Sequence, residues 1–279
     1  MFDLLTVVFR DELSVLQVQA QSIDLYCQDI GIQRIFVIVN DDDCVADQIN
    51  PAWWGSLKNH VTVVKRSRFD AEFVDDGWVS QQALKLIGSA LSDNEYTIVL
   101  DAKTIFAQEL VVSNVINERG QLCVGTIPVP EVFKASKEIT NNLFETNLTH
   151  VIGPSGVPFW FNNKLLKAMI LYIENCTKQN FANWFQEQGM LTEFILYSGF
   201  VLRTYQTFDD IVTQRYYQVQ NICHSEVARF DQKYNDMQSA KILAVSVHRN
   251  AWLQLNQEQK QKYVDFLVSR NITSAIGLL

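Results

Sequence analysis

At 279 residues, 48% of them apolar, the chain is long enough for a sizeable core arranged as one large or two modest domains. A net charge of −8 argues against a surface built to neutralise nucleic-acid phosphates. No run approaches the ~18 apolar residues needed to cross a bilayer.

Residues 4–9 read as a strand that begins at once, without the basic start and small-residue cleavage site of a signal peptide, so a cytoplasmic location is expected. Asp11 is placed to cap a helix in which Leu13, Leu16, Ala20, Ile23 and Cys27 recur at helical spacing, with Gly31 as the stop. A second strand over 35–39 ends at Asn40, Asp41, Asp42 and Asp43; a third over 61–64 ends at the basic stretch 65–68. A helix over 77–91 and a strand over 97–100 follow. This order predicts an α/β fold: a mostly parallel sheet flanked by helices, with a smaller second lobe.

The second half alternates less regularly. Residues 122–127 read as a strand closed by Pro128 and Pro130, and Asn163 as the cap of a helix carrying Leu165, Leu166, Met169, Ile170 and Ile173. Two shorter helices, 181–188 and 191–201, sit around Gly189 and Gly199. The last strand, 242–247, ends at His248 and Arg249, and Asn256 with Gln259 forms a capping box for a final helix through Tyr263, Phe266 and Leu267. No repeat or Gly/Ser/Pro linker divides the chain. A single unit with two lobes is expected. The five cysteines are scattered and form no CxxC, which predicts buried reduced thiols rather than disulfides or zinc. The sequons at Asn147, Asn175 and Asn271 read as coincidences in a chain without a secretion signal.

Two features carry chemistry. On the 77–91 helix, Val79, Ala83, Leu86, Ile87 and Ala90 share one side, while Trp78, Gln81, Gln82, Lys85 and Ser89 share the other. That second side is poor in charge, and is either an ordinary exposed face or one turned toward a polar ligand. The strand after it is a short apolar run ending in Asp101, with Lys103 two residues on. In a parallel sheet the carboxyl ends of the strands share one rim, where ligands bind. Arg10, Asp11, residues 40–43, residues 65–68, Asp101 and Lys103 therefore converge. An acid there suits a divalent cation or a ribose hydroxyl, and an ammonium suits phosphate oxygens. The alternative is a mutual salt bridge or a strand-end cap.

The parallel sheet, the Gly77-Trp78-x-x-Gln81-Gln82-x-x-Lys85-Leu86 helix and the hydrophobic strand ending in Asp101 resemble the GT-A nucleotide-sugar glycosyltransferases. Within them, the chain is most similar to predicted bacterial and viral transferases labelled as a domain of unknown function; the glycogenin-like enzymes look more distant. The resemblance implies transfer of a sugar from a UDP- or GDP-sugar to a hydroxyl acceptor, in glycan or surface-polysaccharide assembly, with 1–110 binding the nucleotide and 111–279 the acceptor. The family's Asp-x-Asp motif, which holds Mn²⁺ or Mg²⁺ on the donor diphosphate, corresponds here to Asp101-Ala102-Lys103, so the second acid is replaced by a cation. Either Lys103 stands in for the metal, or Asp101 holds one with another ligand, for which His248 after the last strand is the candidate. A lone histidine is as readily a hydrogen-bonded structural residue.

The resemblance further implies donor contacts from Arg10, Asp11, Asn40, Asp41, Trp78, Gln82, Lys85, His248 and Arg249. Ser155, Gly156 and Trp160 would line the acceptor side, unless the 153–158 segment is a tight turn leading into core aromatics. Glu193, in Thr192-Glu193-x-x-x-Tyr197, would take the acceptor's proton or cap its own helix. A sugar nucleotidyltransferase and a transferase-like protein that binds without turnover are the rival readings.

Overall fold

The computed structural model describes residues 1–153, 157–214 and 217–279. Strand β1 (Phe2–Val8) is buried at every position, as a strand covered on both faces must be. Even Asp3 is inaccessible, and it is satisfied there by Ser92 Oγ and Asn94 Nδ2, both at 2.7 Å, and by Arg34 Nε at 3.4 Å. A 3-10 turn, Arg10–Glu12, leads into α1 (Leu13–Tyr26). Strands β2 (Ile32–Val39) and β3 (Val61–Val64) follow. Helix α2 (Gly77–Ser89) starts on Asp76, whose carboxylate accepts from the backbone N–H groups of Trp78 (2.9 Å) and Val79 (3.2 Å).

After β4 (Tyr96–Asp101) the chain turns sharply into β5 (Ile105–Phe106). The second half adds a single turn α3 (Val112–Val115), β6 (Thr126–Pro128), α4 (Lys134–Phe144), β7 (His150–Ile152) and β8 (Phe159–Asn162). Then come α5 (Asn163–Thr177), α6 (Phe181–Glu187) and α7 (Glu193–Tyr205). The chain closes with β9 (Gln218–Ile222), α8 (Phe230–Met237), β10 (Ile242–Val247), the short α9 (Arg249–Trp252) and α10 (Gln257–Ser269).

The central sheet has the order β3-β2-β1-β4-β8. Its first four strands are parallel, so their carboxyl ends share one edge; β8 runs antiparallel to β4. A second sheet, β5-β10-β9, pairs β10 parallel to β9 and antiparallel to β5, and β6 pairs with β7. The fold is thus mixed α/β with a mostly parallel central sheet between helices. No helix among the described residues is long and apolar enough to cross a membrane.

Several expectations need correction. Asp11 caps nothing: α1 has no side-chain cap, and Asp11 pairs with Arg249 at 2.7 Å. The cap of α5 is Asn162, one residue earlier than expected, accepting from Leu165 N at 3.1 Å. The 122–127 strand shrinks to Thr126–Pro128 because Gly125, at φ +69°, breaks the extended run. Gly199 lies inside α7, within the expected 191–201 helix, where an added Cβ would meet Thr140 and Phe144 of α4. All five cysteines are free, but only Cys27 and Cys123 are buried; Cys44 sits in a rim turn and Cys176 on the outer side of α5, both exposed.

Candidate active site

The parallel edge of the central sheet opens into a cleft of ≈ 400 Å³, continuous with a groove of ≈ 650 Å³ over the ends of β1 and α2. Both volumes suit a small-molecule site. Trp78, Lys103, Cys223 and His248 line both cavities and so mark their junction.

Four charged side chains meet on the cleft floor. Lys85 projects from the middle of α2 and is almost inaccessible, its side chain 4% exposed. Its Nζ donates to Glu193 Oε1 at 3.0 Å and stands 2.8 Å from Asp101 Oδ1. Lys103 Nζ donates to the other Asp101 oxygen, Oδ2, at 2.7 Å. Lys103 reaches back to Asp101 because the chain turns after β4, with Thr104 N donating to Asp101 O at 2.9 Å. Gln19, buried in α1, pins that turn by donating to Asp101 O (2.6 Å) and Thr104 O (3.0 Å). Gln82, one turn before Lys85 on α2, lies between Glu193 and Trp78. In the amide orientation that satisfies both neighbours, it donates to the Glu193 carboxylate and accepts from Trp78 Nε1 at 3.0 Å.

Burial alone would raise the carboxyl of Asp101, but the two ammoniums overcome this and hold it well below the usual carboxylate range. Burial opposes charge on Lys85 too, and Asp101 with Glu193 more than offset it, so Lys85 stays protonated. For Glu193 desolvation wins: its pKa is raised despite the opposing charge of Lys85. Burial, reinforced by the Lys103 charge, lowers the pKa of His248 and favours neutral imidazole.

Of the residues singled out in the sequence, Asp101, Lys103, Glu193, Trp78, Gln82, Lys85 and His248 converge on this cleft. Others do not. Asn40 is buried, its amide donating to Gly77 O (3.1 Å) and Ser80 Oγ (2.9 Å), where it ties β2 to the start of α2. Asp41 accepts from Arg10 N (3.1 Å) and Asp42 N (2.8 Å), and Arg10 pairs with Asp42 at 3.3 Å; these rim groups bind one another. Arg249 lines the groove, but Asp11, paired with it at 2.7 Å, lines neither cavity. Trp160 is fully buried on β8, opposite Ile98 of β4; Phe159 and Phe161 beside it are buried too, so the strand is covered on both faces and the ring lines neither cavity. Ser155 and Gly156 lie outside the described residues.

The cleft also recruits residues the sequence did not announce. Asn221 and Ser246, hydrogen-bonded at 2.7 Å, line one wall, with Cys223 beside them. Their strand, β9, reads Gln-Val-Gln-Asn-Ile, whose only signal is a weak polar/apolar alternation. Phe9 and Glu12 line the groove from the end of β1; burial raises the Glu12 carboxyl, opposed by the Lys103 charge.

The metal implied by the resemblance does not fit this donor set. Both oxygens of Asp101 face ammoniums, and Glu193 is held by Lys85 and Gln82. Mg²⁺ and Mn²⁺ require several oxygen ligands around the ion. Among the described residues, no group of three His, Cys, Asp or Glu side chains is arranged to hold one.

Solved structures similar to the chain include three glycosyltransferases. The galactosyltransferase LgtC, in complex with donor and acceptor sugar analogues, is 11% identical over 96% of this chain and 95% of its own, with a TM-score of 0.47. The glycosyltransferase GlyE of Streptococcus pneumoniae TIGR4 is 8% identical over 98% of this chain and 64% of its own, with a TM-score of 0.49. The bifunctional glycosyltransferase WbbM is 9% identical over 95% of this chain and 49% of its own, with a TM-score of 0.47. No curated protein sequence matches the chain. A family model does match, over residues 5–261, and the chain belongs to that family: the family of unknown function DUF6492.

Proposed function

We propose that the protein is a glycosyltransferase that moves a sugar from a nucleoside diphosphate donor to a hydroxyl acceptor. The observation that carries the reading is the meeting of Asp101, Lys85, Lys103 and Glu193 on the floor of a cleft at the carboxyl edge of a parallel sheet. Ligands of open α/β sheets bind at that edge. The sequence resemblance supports the same conclusion from Asp101 and the α2 motif.

In this reading the nucleoside lies in the groove over β1 and α2, and the sugar enters the cleft beside Glu193. The acceptor oxygen bonds to the anomeric carbon while the bond from that carbon to the diphosphate oxygen breaks. The electron pair of the broken bond leaves on the diphosphate. The acceptor's proton passes to Glu193, whose raised pKa makes it a better base than an exposed glutamate. Lys85 then compensates for the charge lost and regained at Glu193 and keeps Asp101 ionised.

A second reading is binding without turnover. It draws on the closed hydrogen-bonding of Glu193, which both Lys85 and Gln82 engage. A thermal-shift panel of UDP- and GDP-sugars, followed by nucleoside diphosphate release with and without sugar acceptors, separates the readings. Stabilisation by a sugar nucleotide together with release of its diphosphate is the expected result. Stabilisation with neither hydrolysis nor transfer leaves the second reading, and no stabilisation by any donor removes both.

A further inference from the structure

The misfit between Asp101 and a divalent cation has a consequence for the donor, and it rests on the glycosyltransferase reading. We propose that the diphosphate is bound and neutralised by the ammonium of Lys103, backed by Lys85, and that no divalent cation takes part.

Three observations lead there. First, Lys103 stands at the junction of groove and cleft, where a diphosphate joining a nucleoside to a sugar has to pass. Second, the two lysines differ in reach. Lys85 is sealed between Asp101 and Glu193, whereas the Lys103 side chain keeps 15% of its surface and pairs with a single partner, Asp101. Lys103 can therefore turn one N–H toward a phosphate oxygen while keeping its bond to Asp101, since an ammonium has three donors. Third, the charges already balance. Asp101 and Glu193 face Lys85 and Lys103, so a dication added beside Asp101 would sit against two ammoniums, and both of these carboxylates are already paired. A dianionic diphosphate meets the opposite situation, because Lys103 offers it a cation whose counter-charge is shared with Lys85.

In the group-transfer step, Lys103 acts on the leaving group alone. As the bond between the anomeric carbon and oxygen breaks and its pair moves onto the diphosphate, Lys103 donates hydrogen bonds to the oxygens on which charge builds. No proton need move, and nothing is oxidised or reduced.

The test uses the full chain and the nucleoside diphosphate of whichever sugar nucleotide stabilises it, titrated calorimetrically in EDTA and again with MnCl₂. The expected result is the same dissociation constant in both, with donor hydrolysis equally indifferent to the chelator. Lys103→Ala should weaken nucleoside diphosphate binding about tenfold, the loss of one charge-assisted contact, while leaving affinity for the free nucleoside unchanged. Lys103→Asp, which restores a second acid two residues from Asp101, should bind the diphosphate only when Mn²⁺ is present. Folding of each variant is checked by its melting temperature. Binding or hydrolysis by the parent protein that EDTA abolishes and Mn²⁺ restores overturns the proposal, as does a Lys103→Ala variant with undiminished diphosphate affinity. Failure of every nucleotide to bind under both conditions overturns the transferase reading itself, and this inference with it.

Discussion

Replacing Lys85 with Met tests the electrostatic account of the cleft floor. The side chain has similar length, so packing between α2 and α7 is largely kept while one buried charge is lost. Lys85 Nζ stands 2.8 Å from Asp101 Oδ1 and 3.0 Å from Glu193 Oε1. Removing one partner of a buried pair costs about 3–5 kcal/mol, because the remaining charge is left desolvated. Lys103 still neutralises Asp101 from 2.7 Å, so the lower end applies, about 3 kcal/mol. For a chain of this size that is a fall in Tm of about 6–12 °C. The deficit must also depend on pH. Without Lys85, the already raised pKa of Glu193 rises further, so the folded variant takes up a proton that the unfolded chain does not hold. A raised folded pKa contributes stability below the unfolded value and loses it as pH rises through the folded value. The gap between Lys85→Met and the parent should therefore narrow from about pH 8 toward about pH 5. Adding Glu193→Gln to Lys85→Met should recover much of the loss, since the unpaired carboxylate is gone. Melting curves read by circular dichroism across that range decide the matter. A variant within about 0.5 kcal/mol of the parent, or a deficit that is flat with pH, refutes the reasoning.

Three further outcomes are expected. If Glu193 is the base, kcat/KM for transfer rises with pH as its carboxyl ionises, at a midpoint above the ordinary 4.5, and Glu193→Gln lowers the rate and removes that limb from the pH profile. Gly199→Val drives two methyls into Thr140 and Phe144 where α4 and α7 meet; overpacking of this kind costs about 1–3 kcal/mol, seen as a lower Tm with donor affinity unaltered once the protein is folded. Trp160→Ala should cost about 3–5 kcal/mol of stability, and Trp160→Phe should leave the acceptor KM unchanged; a raised KM in Trp160→Phe would return that ring to the acceptor site.

The parts of the fold that were legible are those where local pattern and burial coincide. β1, β2 and β4 are built on apolar runs because helices cover both faces of the sheet, and α10 carries its own start signal in the Asn256–Gln259 box. The parallel order followed from the spacing of those runs, and with it the shared rim at Asp101. β9 and β5 were not legible. β9 is polar at Gln218, Gln220 and Asn221, and β5 is two residues long; each is held as a strand by its pairing with β10. Gly199 inside α7 is costly by propensity, and only the approach of α4 explains why a glycine is there.

Within the site, the identities of the chemical groups were written in the chain: an acid ending the fourth strand, a lysine two residues on, and an amide and a lysine on one side of α2. Their partnerships were not. Lys85 and Glu193 are separated by 108 positions and meet only because α2 and α7 pack across the cleft. Arg10, Asn40 and Asp41, equally well placed at the rim by topology, are consumed by bonds to one another's loops and, for Asn40, to the start of α2. Sequence thus determined which edge of the sheet carries the polar groups, because strand direction is a property of connectivity. Only the tertiary structure decided which of them remain available to a ligand, because a side chain's hydrogen bonds and ion pairs depend on distances that no local pattern encodes.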